Sequence, residues 1–65
     1  MNSLEMKVEM KRNQDTLEKL AEALGLQISG VCARVNGHVE FRANEVKKIK
    51  QRYNLSAEDV VRIFF

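Results

Sequence analysis

The side chains most often used in catalysis are sparse in this sequence. The one histidine, His38, and the one cysteine, Cys32, lie six residues apart on either side of Asn36-Gly37, with no matching serine or aspartate arrangement. A structural zinc site needs four ligands, which one cysteine and one histidine cannot supply. The acidic pair Glu58-Asp59 is explained by the start of a helix, where negative charge is favoured. The sequence therefore predicts no enzyme activity, no metal site and no cofactor.

The basic residues are concentrated in one third of the chain. The segment Val31–Arg52 holds six lysines and arginines against two acidic residues, whereas the whole chain has a net charge of +2. A basic cluster of this kind is typical of phosphate contact, and it is also typical of a solvated helix face. The six residues are Arg34, Arg42, Lys47, Lys48, Lys50 and Arg52.

Length and composition indicate one small domain, residues 1–65, in a reducing compartment. A single cysteine cannot form a disulfide within the chain, so stability has to come from helix packing. No hydrophobic run approaches the ~20 residues that a membrane span needs. Charged residues interrupt the apolar ones between Met1 and Lys11, which argues against a secretory signal. We therefore expect a cytoplasmic protein with no membrane partner.

Two amphipathic stripes in the middle of the chain predict a pair of helices joined by a tight turn. Each stripe has the i, i+3, i+4, i+7 spacing of a helix face. Gly25 separates the stripes, and Asn36-Gly37 closes the second one. Two short helices with a glycine in the turn are the skeleton of a helix-turn-helix, whose second helix can enter a DNA major groove. The stripes are Leu17, Leu20, Ala21, Leu24 and then Ile28, Val31, Cys32, Val35.

Three further helices are predicted around this pair. They cover Ser3–Arg12, Asn44–Tyr53 and a segment that begins at Ser56, where Asp59 three residues later completes a capping box. Either Asp15 or Thr16 can cap the second helix. The expected fold is an all-α bundle of about five short helices containing a helix-turn-helix.

A β-hairpin is the competing interpretation of Val31–Phe41. Apolar and polar residues alternate there on both sides of Asn36-Gly37, and Asn-Gly is a strong hairpin signal. Local rules alone therefore predict two strands where the helical stripe predicts the end of a helix.

Several stretches of the chain together resemble the Cro/repressor helix-turn-helix family, particularly its small bacteriophage members. The resemblance extends from Asn13 to Phe65 and implies a lambda-repressor-like fold in which Asn36-Gly37 ends a helix, so we favour the helix over the hairpin. It also implies a transcriptional regulator that binds operator DNA. The stretches are Leu20–Leu26, Val31, Asn36–Phe41, Glu45–Ile49, Gln51–Ser56 and Ile63–Phe65.

The resemblance makes Gln27–Val35 the recognition helix and allows residues to be assigned to double-stranded DNA. Gln27 and Ser29 are expected to read base edges, with apolar contacts from Ile28, Cys32 and Ala33. Leu17 stands where relatives usually carry a glutamine that contacts the DNA backbone, so we expect Leu17 to join the core instead. The phosphate contacts are predicted to come from Arg34, Asn36, His38, Arg42, Lys47 and Lys48.

The fifth helix suggests self-association. Its stripe is Ala57, Val60, Val61 and Phe64, which leaves other apolar residues near its end off the stripe. We expect a symmetric homodimer whose seam contains Ile63, Phe64 and Phe65.

A second function class fits the same residues. The predicted recognition helix is poor in polar side chains, which favours a protein-binding helical module that docks an apolar face on an antirepressor-like or antitoxin-like partner. The basic segment favours the DNA-binding regulator, and this is our primary prediction.

Overall fold

Five α-helices make up the chain in the computed structural model, which describes every residue from Met1 to Phe65. They are α1 (Ser3–Arg12), α2 (Leu17–Leu24), α3 (Ile28–Val35), α4 (Ala43–Arg52) and α5 (Ala57–Phe64), and no residue lies in a strand. The predicted all-α bundle is therefore confirmed. Each helix starts within one residue of its expected position.

Polar side chains cap the starts of three helices. Asn2, Thr16 and Ser56 each accept a hydrogen bond, at 3.1 Å, from a backbone N–H in the first turn of the helix that follows. Asp59 accepts in return from the Ser56 N–H at 3.0 Å, so the predicted capping box is confirmed. Because Thr16 caps α2, the Asp15 carboxylate is available for other bonds.

The first four helices end in the same type of left-handed turn. In each turn one residue has a positive φ, and the N–H of the following residue donates a hydrogen bond to a carbonyl in the last turn of the helix. In α3, for example, the His38 N–H donates to the Ala33 carbonyl at 2.9 Å. This is the Schellman arrangement, which satisfies carbonyls that the helix leaves unpaired. The residues with positive φ are Gln14 (53°), Gly25 (70°), Gly37 (83°) and Asn54 (53°).

The hairpin that the local pattern predicts over Val31–Phe41 does not form. Val31 and Val35, one helical turn apart, are both buried on the same side of α3. Gly37 then uses its left-handed conformation to end the helix and not to reverse a strand. Burial of one helix face therefore outweighs the local turn preference.

Each helix packs against two others, so the five close a ring around one core. The order of contact is α1, α3, α2, α4, α5 and back to α1. Leu17 packs against the edge of the core, in line with the expectation for that position. The buried cluster consists of Met6, Met10, Leu20, Ala21, Leu24, Val31, Val35, Ile49, Tyr53, Leu55, Ile63 and Phe64.

The expected position of Ile63 at an exposed seam is wrong. Its side chain is fully buried, and Phe64 is also in the core, with its ring 5.7 Å from that of Phe41 in a T-shaped pair. The stripe predicted for α5 placed Val61 inside, but Val61 is 59% exposed. Because α5 packs against both α1 and α4, its buried side consists of Val60, Ile63 and Phe64 and is rotated around the helix relative to the predicted stripe.

None of the five helices is long and apolar enough to cross a lipid bilayer.

Candidate nucleic-acid interface

A three-residue connection joins α2 to α3 and fixes how the second helix leaves the first. Gly25 has a φ of 70°, and a Cβ added there would meet no atom within 4 Å. Glycine is therefore favoured here by the backbone conformation and not by a lack of space. Leu26 follows it and packs against the core, which holds the connection to the body of the domain.

The five predicted base-reading residues lie on α3 or immediately before it, and all are at least partly exposed, but few of them are polar. Gln27, immediately before the helix, and Ser29 are exposed, and Ile28 is 50% exposed. Cys32 and Ala33, one turn later, are partly exposed. Ser29 and Ala33 lie on the side of α3 opposite the buried Val31 and Val35, whereas Gln27, Ile28 and Cys32 lie at the start of the helix or beside the buried residues.

Asn36 is the C-cap of α3. It is exposed, and its Nδ2 donates to the Sγ of Cys32 at 3.3 Å, which links two predicted contact residues along one side of α3.

No group of three or more His, Cys, Asp or Glu side chains is placed to hold a metal ion.

Arg34, a predicted phosphate contact, has a side chain that is bonded inside the protein. It is only 11% exposed, and its Nε donates to Oε1 of Glu45 at 3.0 Å. Its Nη1 donates to the Gly30 carbonyl, also at 3.0 Å. Arg34 therefore connects α3 to the first turn of α4 and has little charge to offer a ligand.

Glu45 is the partner that makes this connection rigid. Its Oε1 also accepts from the Arg42 N–H at 2.8 Å, which caps α4. Burial raises the pKa of Glu45, but the hydrogen bonds from the Arg42 amide and the Arg34 side chain outweigh it and hold the pKa below its usual value. The carboxylate is thus charged at neutral pH, and it cancels the charge of Arg34.

Arg52 is also paired. Its Nε and Nη2 donate to the two carboxylate oxygens of Asp15, at 2.9 and 2.8 Å, and the hydroxyl of Tyr53 donates to the same carboxylate. These bonds join the residue before the α2 cap to the end of α4. Two of the six cations in the basic segment are therefore structural.

The lysines of α4 lie on two different sides of the helix. Glu45 bonds to Arg34 of α3, and Arg52 bonds to Asp15 just before α2. Lys48 is three residues after Glu45 and four before Arg52, so it lies on the same side of α4 as these two residues. Lys47 is turned away from Glu45 and lines a groove with Lys50, Phe41 and Phe64. The predicted phosphate contact from Lys47 is thus placed away from α3.

The loop between α3 and α4 contributes two further exposed side chains that can donate a hydrogen bond to phosphate. His38 follows the end of α3, Arg42 precedes α4, and neither side chain takes part in an ion pair. Of the predicted phosphate contacts, Asn36, His38, Arg42 and Lys48 are exposed, in or beside the elements next to α3.

Two lysines of α1 were missed by the sequence prediction. Lys7 and Lys11, one turn apart, line a cavity of about 310 Å³ together with Thr16, Leu17, Val35 and Asn36. Neither lysine forms an ion pair. They therefore lie beside the start of α2 and the end of α3. The i, i+4 spacing of Lys7 and Lys11 could have indicated that they share one helix face. Their charge was overlooked because nearby acidic residues cancel it in the net charge of the segment.

Comparison with known protein families, curated proteins and solved structures finds no match to this chain. The resemblance to the Cro/repressor family thus stays a prediction carried by the residues quoted above.

Proposed function

We propose that the protein is a sequence-specific DNA-binding transcriptional regulator of the Cro/repressor type, acting in the cytoplasm. In this proposal α2, the turn at Gly25 and α3 form a helix-turn-helix, and α3 enters the major groove. The observation that carries the proposal is the exposed surface of α3, which is bordered by side chains from three separate elements that can contact phosphate and form no ion pair. These are Lys7 and Lys11 of α1, His38 and Arg42 of the loop, and Lys48 of α4.

Base recognition would come from a small set of side chains on α3. The Gln27 amide can pair with adenine, and Ser29 can bond to several bases. Ile28 and Ala33 are suited to the methyl group of thymine, because they offer apolar surface at the exposed side of the helix. One good bidentate pair discriminates by about 1–3 kcal/mol, so a surface with one glutamine gives modest selectivity.

Phosphate contacts would supply most of the affinity. Each cationic contact releases counterions, so log affinity falls with log salt by about 0.9 per contact. Because Arg34 and Arg52 are neutralised by Glu45 and Asp15, they should contribute nothing to this slope. The lysines of α1 take their place in the proposed footprint.

A salt titration of binding to duplex DNA tests the proposal. Fluorescence anisotropy at several salt concentrations should give a steep slope for the intact chain, reduced by about 2 in Lys7→Ala/Lys11→Ala. Lys50→Ala is the matched control, since Lys50 is an exposed lysine on the groove side of α4, and its slope should be unchanged. Selection from random duplexes should then show that Gln27→Ala/Ser29→Ala changes the preferred site.

A protein-binding module is the second candidate, and the half-exposed Ile28 is the observation that favours it. An exposed apolar side chain at the start of α3 suits a partner protein as well as a thymine methyl group. The same titration separates the two. Binding to duplex DNA that is absent, or independent of salt, would reject the DNA proposal and leave the protein partner.

A further inference from the structure

The exposed side chains of α3 contain few groups that can form a hydrogen bond to a base. Ile28 and Cys32 lie one turn apart along one side of the helix, and Ser29 and Ala33 form the neighbouring row. In these two rows the Ser29 hydroxyl is the one strong hydrogen-bonding group, since a thiol is a weak donor. Gln27, immediately before the helix, adds one amide. The part of α3 that is free to contact DNA is therefore mostly apolar.

The other polar side chains at α3 are engaged within the protein. Arg34 is the only charged residue of the helix, and its guanidinium bonds to Glu45 and to the Gly30 carbonyl. The Nδ2 of Asn36 donates to the Sγ of Cys32. The commonest specific contact to guanine is a bidentate bond from arginine or lysine, and α3 has no such side chain free. Hydrogen bonds from α3 therefore distinguish few base pairs.

Ile28 is the apolar side chain best placed to meet a base. It is the first residue of α3, and the N-terminal residues of a recognition helix are those that contact base edges in the major groove. Its side chain is 50% exposed, so a large apolar surface is left in water until a partner covers it. The apolar feature that a base pair presents in the major groove is the 5-methyl group of thymine.

We propose that Ile28 recognises pyrimidine 5-methyl groups, and that the protein selects its DNA site by these methyl groups more than by hydrogen bonds. Thymine carries the group naturally, and 5-methylcytosine carries the same group on the same ring carbon. Uracil and unmodified cytosine lack it. At a contacted position the protein should therefore prefer thymine to uracil and 5-methylcytosine to cytosine. This inference rests on the proposed DNA-binding function, and it makes binding responsive to the methylation of cytosine.

The expected effect is small, so the DNA has to change in the methyl group alone. Burial of one methyl group is worth about a four-fold change in affinity. Thymine and uracil pair identically with adenine, and cytosine and 5-methylcytosine pair identically with guanine. Each of these two comparisons therefore removes the methyl group and keeps the hydrogen-bonding pattern of the base pair.

Two variants of Ile28 separate a contact by the protein from an effect of the methyl group on the DNA itself. Ile28→Ala shortens the side chain and should abolish the preference for the methyl group. Ile28→Val keeps a branched apolar side chain and should retain most of it. Val61→Ala is the matched control, because Val61 is an exposed aliphatic residue of α5, which packs against α1 and α4 and not against α3. Ile28 lies outside the buried core, so its variants should fold, and thermal unfolding followed by circular dichroism verifies this.

Fluorescence anisotropy on a duplex selected from random sequences gives the result. With the intact chain and with Val61→Ala, uracil in place of thymine should weaken binding about four-fold at one or more positions. At the same positions 5-methylcytosine should bind more tightly than cytosine by the same factor. With Ile28→Ala the members of each pair of duplexes should bind equally.

Two results would overturn the inference and leave the DNA-binding function standing. The first is an intact chain that binds the selected duplex equally well with thymine or uracil at every position, which would assign the selection to hydrogen bonds. The second is a methyl effect that is undiminished in Ile28→Ala, which would assign it to another side chain or to the DNA itself. An intact chain that binds no duplex at any salt concentration would instead reject the proposed function, and this inference with it.

Discussion

Asp15 offers the sharpest test of how the domain holds the start of α2 in place. Its side chain is only 3% exposed and accepts hydrogen bonds from Arg52, from Tyr53 and from the Thr16 N–H at 3.0 Å. The bonds from Arg52 lower the pKa of Asp15 from 3.8 to about 2, against the opposing effect of burial. Burial and the nearby carboxylate also raise the pKa of Tyr53, which therefore stays a hydrogen-bond donor.

The size of the effect follows from the two pKa values. One pKa unit corresponds to 1.36 kcal/mol, so the shift from 3.8 to about 2 is worth roughly 2 kcal/mol of folding free energy. Arg52 is one-third exposed, and screening by solvent makes this value an upper one. Below about pH 3.8 the carboxyl of the unfolded chain binds a proton, whereas that of the folded chain stays ionised until the pH approaches about 2. The stabilisation is thus complete above that pH and is lost as the pH falls through about 2.

Asp15→Asn should therefore destabilise the protein at neutral pH and hardly at all near the folded-state pKa of about 2. A loss of roughly 2 kcal/mol lowers the melting temperature of so small a domain by roughly 8–16 °C. Melting followed by circular dichroism across this pH range measures the difference between variant and wild type. Glu22→Gln, which changes an exposed carboxylate outside every ion pair, is the control. Equal losses at both ends of the pH range would refute the assignment of the stabilisation to the charged carboxylate.

Two further predictions concern the turns and the ion pairs. Gly25→Ala should lower the free energy of unfolding in urea by about 1 kcal/mol, because alanine is strained at a φ of 70°. Gln14→Gly, at a φ of 53°, should raise it by about 0.5 kcal/mol. A change of the same sign in both variants would contradict this reasoning. Arg34→Ala should lower the free energy of unfolding by about 1–3 kcal/mol, since it leaves Glu45 without its partner, and should leave the salt slope of DNA binding unchanged. Lys48→Ala should reduce the salt slope of DNA binding and leave the free energy of unfolding unchanged. If Arg34→Ala instead reduces the salt slope without changing the stability, Arg34 contacts the DNA.

The helices were predictable because their signals are local. A stripe such as Leu17, Leu20, Ala21 and Leu24 identifies a buried face, and caps such as Ser56 with Asp59 mark the starts. The helix ends also have a local cause, because Gly25, Gly37 and Asn54 are residue types that favour the left-handed conformation. Gln14 takes the same conformation without any signal in its residue type. Local rules failed at Asn36-Gly37, where the same dipeptide suits a hairpin or a helix end and only the burial of Val31 and Val35 decides.

Predictions that depended on the packing order of the helices were less successful. Ile63 was assigned to the surface because the stripe of α5 was fitted to one buried face, whereas α5 contacts both α1 and α4 and buries a shifted arc. The exposed ring of Phe65 was predictable from its position off the stripe. The groove beside it was not, since Phe41, Val46 and Phe64 come from three separate parts of the chain.

The charges show most clearly why the candidate interface could not be derived from one segment. Net charge treats every lysine and arginine alike, but Arg34 is cancelled by Glu45 across the α3–α4 connection. A pairing of this kind depends on which helices meet. The contact between α1 and α3 has the opposite effect, because it brings Lys7 and Lys11 from a segment without net positive charge to the end of α3. The proposed DNA-binding surface is thus a property of the packed chain, and only part of it comes from the segment whose charge first suggested it.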